Sequence, residues 1–216
     1  RRDIVLARYN LDGHLDPGFA AGQGFVVMTD VPGSYTPRAM QIDASGRIVV
    51  AGDDFVARFD ATGTPDTSFG GGFVECSVTA YSVVVDNNGK ILVAGRAPGA
   101  DGSGAVFGLA RYDAFGIPDA SFGTSGTVLT RIGTDAGVRS VVMQGGKIVA
   151  SGWADTGSGR VIALARYNDN DGSLDTTFGP ESSLSISDVS KSEGNGGTSE
   201  PTEFSFEIAL SSPSAD

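Results

Sequence analysis

The chain reads as all-β, a β-propeller-like array of four-stranded antiparallel blades, and three observations lead there. One phrase recurs four times. It runs Leu6-Ala7-Arg8-Tyr9-Asn10 through Gly13 and Asp16 to Phe19, and again from Val56-Ala57-Arg58-Phe59-Asp60 through Gly63 and Asp66 to Phe69. Its later copies run from Leu109-Ala110-Arg111-Tyr112-Asp113 to Phe122 and from Leu164-Ala165-Arg166-Tyr167-Asn168 to Phe178. The closing phenylalanines stand 50, 53 and 56 residues apart, and a period of that size signals a repeat architecture. A second phrase lies between the copies: Met40–Gly52, Val83–Gly95 and Val141–Gly152 are each an apolar run, a Gly-bearing turn and a β-branched run. That is a hairpin signature. Thirdly, no stretch sustains helical periodicity.

In chain order, Ile4 to Tyr9 reads as a strand, Asn10 to Gly18 as turn chemistry and Phe25 to Thr29 as a second strand. Residues 31–37 hold Pro32, Gly33 and Pro37 and read as a loop, since Pro cannot donate to an inner ladder. From Arg38 the unit is complete, with strands at 38–43, 47–52, 55–60 and 73–77. The next gives 81–86, 90–95, 106–113 and 127–130, and the last 138–143, 147–153 and 161–168. Four short strands per unit of roughly 50 residues is the arithmetic of a propeller blade. A β-solenoid is the alternative, with rungs of usually shorter period. The units fall at about 36–80, 81–131 and 136–180, after a partial one at 1–30.

These phrases resemble the delta-60 repeat of large bacterial surface and secreted proteins, and the strand and turn order is similar to NHL-type propeller blades. The resemblance covers residues 1–180 and implies a propeller-like fold without a catalytic motif to carry over. After Gly179-Pro180 the language changes. Leu184-Ser185-Ile186-Ser187-Asp188-Val189 to Gly194, then Phe204-Ser205-Phe206-Glu207-Ile208, looks like the opening strands of a truncated Calx-beta domain over 181–216. In that family the Glu of the turn, here Glu193, contributes to calcium binding. The strand 184–188 is the expected local donor for the edge of the last unit, with Phe25–Thr29 as the alternative donor.

Charge narrows the partners. Among 216 residues, 26 acids against 15 bases give −11, and the segment from 181 onward carries −6 of it. The clustered Lys and Arg that nucleic-acid backbones require do not occur, and no apolar run approaches the roughly 20 residues of a membrane helix. The acidity suits a secreted protein. The chain opens inside a repeat at Arg1-Arg2-Asp3-Ile4, which reads as a piece of something longer. The single Cys76 excludes an internal disulfide and reads as a small buried side chain.

The candidate site residues are the repeated pairs Arg8 and Asp16, Arg58 and Asp66, Arg111 and Asp119, and Arg166 and Asp175. Their spacing of eight or nine residues lets a planar guanidinium reach back to a turn carboxylate. Recurrence in every unit points to a structural role, because an active site is built once. Calcium competes at Asp169, Asp171 and Asp175, with acids on alternate positions, and more weakly at Asn10, Asp12 and Asp16. Asx-turns account for the same residues without metal. His14 is the only histidine, no G-x-S-x-G elbow occurs, and zinc by several His or Cys is excluded by count. Trp153 reads as packing or as a sugar-stacking platform, and Phe19, Phe69, Phe122 and Phe178 as plugs between blades. The expected function is a non-catalytic structural or adhesive module, extracellular, binding carbohydrate, protein, neighbouring domains or another copy, without nucleic acid or membrane insertion. A hydrolase in the propeller funnel and a calcium-stabilised binding module are the alternatives.

Overall fold

The computed structural model describes residues 3–29, 36–100, 102 and 104–178. Residues 1–175 form one unit, and only residues 176–178 of a second unit are among those described. The Calx-beta reading of 181–216 and the proposed donor strand 184–188 lie outside the described residues.

The strands are β1 (Ile4–Ala7), β2 (Phe25–Met28), β3 (Pro37–Ile42), β4 (Ile48–Gly52), β5 (Phe55–Phe59) and β6 (Phe73–Glu75). They continue as β7 (Thr79–Val85), β8 (Ile91–Pro98), β9 (Ala105–Tyr112), β10 (Thr127–Thr130), β11 (Asp135–Gln144), β12 (Lys147–Asp155) and β13 (Arg160–Asn168). They form four sheets in the orders β1-β2, β3-β4-β5-β6, β7-β8-β9-β10 and β11-β12-β13. Every pairing is antiparallel between sequence neighbours, so each sheet is an up-and-down meander. That is the organisation of a partial β-propeller and not of a solenoid, whose rungs stack in parallel. Phe25–Met28 pairs with Ile4–Ala7 in a two-stranded sheet, as second strand of the first repeat, and among the described residues it does not pair with Arg160–Asn168. Pro37 is not in a loop either. It opens β3 opposite Gly52, the first-residue position that a strand leaves open to proline. Strands β8 and β12 run past their glycines to Pro98 and Asp155.

Three apolar clusters lie between successive sheets. The first joins Ile4, Leu6 and Phe19 to Ile48, Val50, Phe55 and Ala57. The second joins Val49, Ala51, Val56 and Phe69 to Ile91, Val93, Ala110 and Tyr112. The third joins Leu92, Ala94, Phe107, Leu109 and Phe122 to Val138, Ile148, Ala150, Ala163 and Tyr167. Strand β8 sends Ile91 and Val93 to one cluster and Leu92 and Ala94 to the next. Its run is therefore continuously apolar because both its faces are covered. Ile162 and Leu164, on the β13 face away from the third cluster, are 84% and 57% exposed.

The first strands of the last three sheets, β3, β7 and β11, bridge to one another. Gln41 Oε1 accepts the Val85 N–H at 2.9 Å, and Ser82 Oγ accepts the Val141 N–H at 3.1 Å. Each of these strands also carries a one-residue bulge at the same place, against the glycine that ends the regular part of its partner. Register shifts at Arg38, between pairs Pro37–Gly52 and Ala39–Ala51. It shifts at Tyr81, between Ala80–Gly95 and Ser82–Ala94, and at Arg139, between Val138–Gly152 and Ser140–Ser151. The glycines are required there. A Cβ on Gly52, Gly95 or Gly152 would stand 2.0, 1.8 or 2.1 Å from the carbonyl oxygens of Thr36, Thr79 and Gly137. Gly95→Ala is expected to destabilise the protein by about 1–3 kcal/mol through this backbone collision, read as a lower urea midpoint. An unchanged midpoint would show that the bulge is not held by the glycine.

Candidate functional site

The repeated Arg–Asp pairs occupy the turn end of the sheets. Backbone comes first: the Asp16, Asp66, Asp119 and Asp175 N–H groups donate to the Arg8, Arg58, Arg111 and Arg166 carbonyls at 2.7–2.9 Å. This narrow closure brings each carboxylate onto its arginine. Arg Nε donates to Asp Oδ2 at 2.7, 2.8, 2.9 and 2.8 Å in the four repeats. The other Asp oxygen caps the turn, accepting the Gly18 N–H in the first repeat and the N–H and Oγ–H of Ser68 and Ser121 in the next two.

The remaining guanidinium edge reaches the following repeat. Arg8 Nη1 donates to the Ala61 carbonyl at 2.7 Å, Arg58 Nη1 to the Ala114 carbonyl at 2.7 Å, and Arg111 Nη1 to the Asp169 carbonyl. The planar faces lie on Phe19, Phe69 and Phe122 at 4.7, 4.8 and 4.3 Å. Each ring in turn sits under a turn glycine of the next repeat. A Cβ on Gly63, Gly116 or Gly172 would come within 2.5, 3.1 or 2.8 Å of Phe19, Phe69 or Phe122. These glycines also adopt φ of +88°, +83° and +73°, so any side chain would add backbone strain. Ala20, Gly70 and Gly123 complete the joint by donating to the Thr62, Phe115 and Asp171 carbonyls at 2.7–3.0 Å. Phe178, by contrast, is only half-buried and belongs to the second unit.

Two further cations sharpen the later pairs. Lys90 Nζ donates to Asp119 Oδ2 at 2.8 Å, and Lys147 Nζ lies 3.0 Å from Asp175 Oδ2. Sequence reasoning passed over them as hairpin residues. Burial alone would raise the Asp66 and Asp119 carboxyls. Hydrogen bonds from Ser68 with the Arg58 charge, and from Lys90 and Ser121 with the Arg111 charge, outweigh it and hold both below the usual carboxylate range.

The structure does not gather the residues considered for calcium. Asp169 Oδ1 faces Arg111 Nη1 at 3.2 Å, Asp171 Oδ1 accepts the Ser173 N–H and Oγ–H, and Asp175 is held by Arg166 and Lys147. Among the described residues no three His, Cys, Asp or Glu side chains converge as a metal site would require. Asp60 and Asp113 act as Asx caps, each accepting the N–H groups two and four residues on. His14 is exposed in its turn, and Cys76 is buried, its thiol pushed up by burial.

The opposite end of the sheets carries residues that do not recur in kind. The three bulges present Arg38, Tyr81 and Arg139 from successive repeats, and the Tyr81 ring lies 4.9 Å from the Arg38 guanidinium and 4.3 Å from that of Arg139. Trp153 is flanked in the same way by Arg96 at 5.4 Å and Arg160 at 3.8 Å. Asp53 pairs with Arg38, and both Asp135 oxygens accept from Arg96 Nη2 at 2.9 and 3.2 Å. Beside them opens a cleft of about 570 Å³ lined by Thr79, Tyr81, Arg96, Pro98, Gly104 and Asp135 among others. Arg96 Nε and Trp153 Nε1 have no acceptor among the described residues. The signal for this end was present as the glycine closing each Val-Ala-Gly or Ala-Ser-Gly run, since a glycine inside a strand marks a bulge or a close approach.

Arg111→Ala removes a guanidinium that is 4% exposed and leaves the Asp119 carboxylate short of a partner. It is expected to cost about 3–5 kcal/mol, measured by urea unfolding, and Arg111→Lys should restore only part because the fork and the stack are lost. A wild-type midpoint for Arg111→Ala would refute the clamp. The depressed carboxyls give stability that is complete above their unfolded pKa of about 3.9 and lost as pH falls from there through the lower folded values. Unfolding midpoints should therefore hold from pH 7 to about 5 and fall below pH 4. A midpoint that stays flat to pH 2 would show that the pairs do not stabilise the fold.

A family model described as "Domain of unknown function (DUF5122) beta-propeller" matches residues 1–19, 44–69, 87–122 and 146–178. No curated protein shows significant similarity to the chain. Each matched segment contains one clamp arginine and ends on the phenylalanine of its repeat. The matches together cover more than half of the chain, which thus belongs to the DUF5122 β-propeller family.

Proposed function

We propose that this chain is a non-catalytic binding module, a rigid scaffold that presents one face of a larger bacterial extracellular or cell-surface repeat protein. The observation that carries this reading is the division of labour between the two ends of the sheets. The recurring Arg–Asp pairs lock their own turns, and Arg8, Arg58 and Arg111 also tie the next repeat, while the residues that vary, Arg38, Tyr81, Arg139 and Trp153, decorate the other end. A scaffold with a variable face suits recognition better than chemistry. The delta-60-like phrases and the Calx-beta-like segment 181–216 favour an extracellular setting, as does the acidity of the chain. Val5, Ile162 and Leu164 leave apolar surface for contact with neighbouring domains or another copy.

The reading is tested by immobilising the chain and offering neutral and acidic glycans and purified matrix proteins, with and without EDTA, while assaying for released reducing ends. Retention of at least one ligand without turnover, surviving EDTA, is the expected result. Turnover would establish the hydrolase alternative, binding lost in EDTA and restored by calcium would establish the calcium-dependent one, and retention of nothing would refute the binding module.

A further inference from the structure

We infer that the Arg–aromatic end of the sheets is a carboxylate-recognition site for an acidic glycan, a polymer of uronate-type sugars. The inference rests on the binding-module reading and names its ligand class. Two aromatic rings hold four guanidiniums here: Arg38 and Arg139 on Tyr81, and Arg96 and Arg160 on Trp153. A guanidinium stacked by its face keeps its N–H edge in plane and turned outward, ready for a planar carboxylate. The protein supplies its own examples. Arg38 takes both oxygens of Asp53 through Nε and Nη2, and Arg96 takes both oxygens of Asp135 through Nη2. Arg139 and Arg160 are stacked in the same manner, are exposed, and form no ion pair among the described residues. Arg38 is thus paired across its fork and Arg96 through one nitrogen, whereas Arg139 and Arg160 are set for carboxylates from outside.

The surroundings select a sugar over a peptide. The neighbouring cleft is open and lined by Thr79, Gly102, Gly104, Pro98 and the Asp135 carboxylate. It provides hydroxyl and backbone partners but no deep apolar pocket of the kind that anchors a protein side chain. The chain as a whole carries −11 and repels polyanions at long range, so attraction must come from short bidentate contacts. Salt screens the long-range repulsion as well as the contacts, so binding is expected to vary only modestly with ionic strength.

The test is affinity electrophoresis of the full chain through gels containing polygalacturonate, neutral galactan or poly-L-glutamate, followed by titration with oligogalacturonate. Retardation by polygalacturonate alone, weakened roughly tenfold or more in Arg139→Gln/Arg160→Gln with an unchanged melting temperature, is expected. Equal retardation of the double variant would move the site elsewhere and leave the binding module standing. Equal retardation by poly-L-glutamate would overturn the glycan assignment. Absence of retardation by polygalacturonate would overturn the inference, while the binding module itself falls only if the wider ligand panel also retains nothing.

Discussion

The guanidinium of the repeated arginine is the interaction on which the rest of this fold depends. Arg58 shows why: its Nε holds the Asp66 turn, its Nη1 holds the Ala114 carbonyl 56 residues away, and its face rests on Phe69. One planar cation thus fixes a turn, a plug and the next repeat together. Lysine offers a point charge and could satisfy only one of these. The group is 1% exposed, so its charge is tolerable only because Asp66 and Ser68 meet it at hydrogen-bonding distance. Breaking one contact would expose the desolvation cost of the others.

The clamp matters because a single sheet of about four short strands cannot bury both of its faces. All three apolar clusters lie between sheets and none within one, so stability resides in the joints, as in other repeat proteins. The joints are layered. Gln41 and Ser82 tie the first strands, the clusters fill the middle, and Tyr112 and Tyr167 reach from the third strands to the Glu75 carbonyl and Thr130 Oγ of the preceding repeat. Burial pushes the Tyr167 phenol up to about 12, which keeps it a neutral donor across the physiological range.

Function and stability are thereby separated along each strand. The turn end is saturated: its aspartates cap their own loops or meet arginines, which leaves them poorly placed as ligands. The bulge end is held by glycines instead, and its side chains are free to differ. Where the first strand of a sheet bulges, the residue at the bulge is Arg in two repeats and Tyr in one, and that alternation is what allows the rings and guanidiniums to stack.

Much of this was legible from spacing. The repeat, the all-β meander and the reach of Arg58 to Asp66 follow from local order, because an eight-residue loop closed by a glycine turn leaves the carboxylate few other places to go. The Asx turn at Asp171 was equally local. What the sequence could not say is which groups meet across repeats. Lys90 was unremarkable until it reached Asp119, 29 residues on. Arg38, Tyr81 and Arg139 became one stack only when three bulges aligned. The acidic run Asp169 to Asp175 looked like a cation loop until Arg111, Arg166 and Lys147 arrived to neutralise it. Local order is written into backbone preferences and short loops, whereas the identity of a charge's partner is decided by packing between sheets, where distance in sequence no longer measures distance in space.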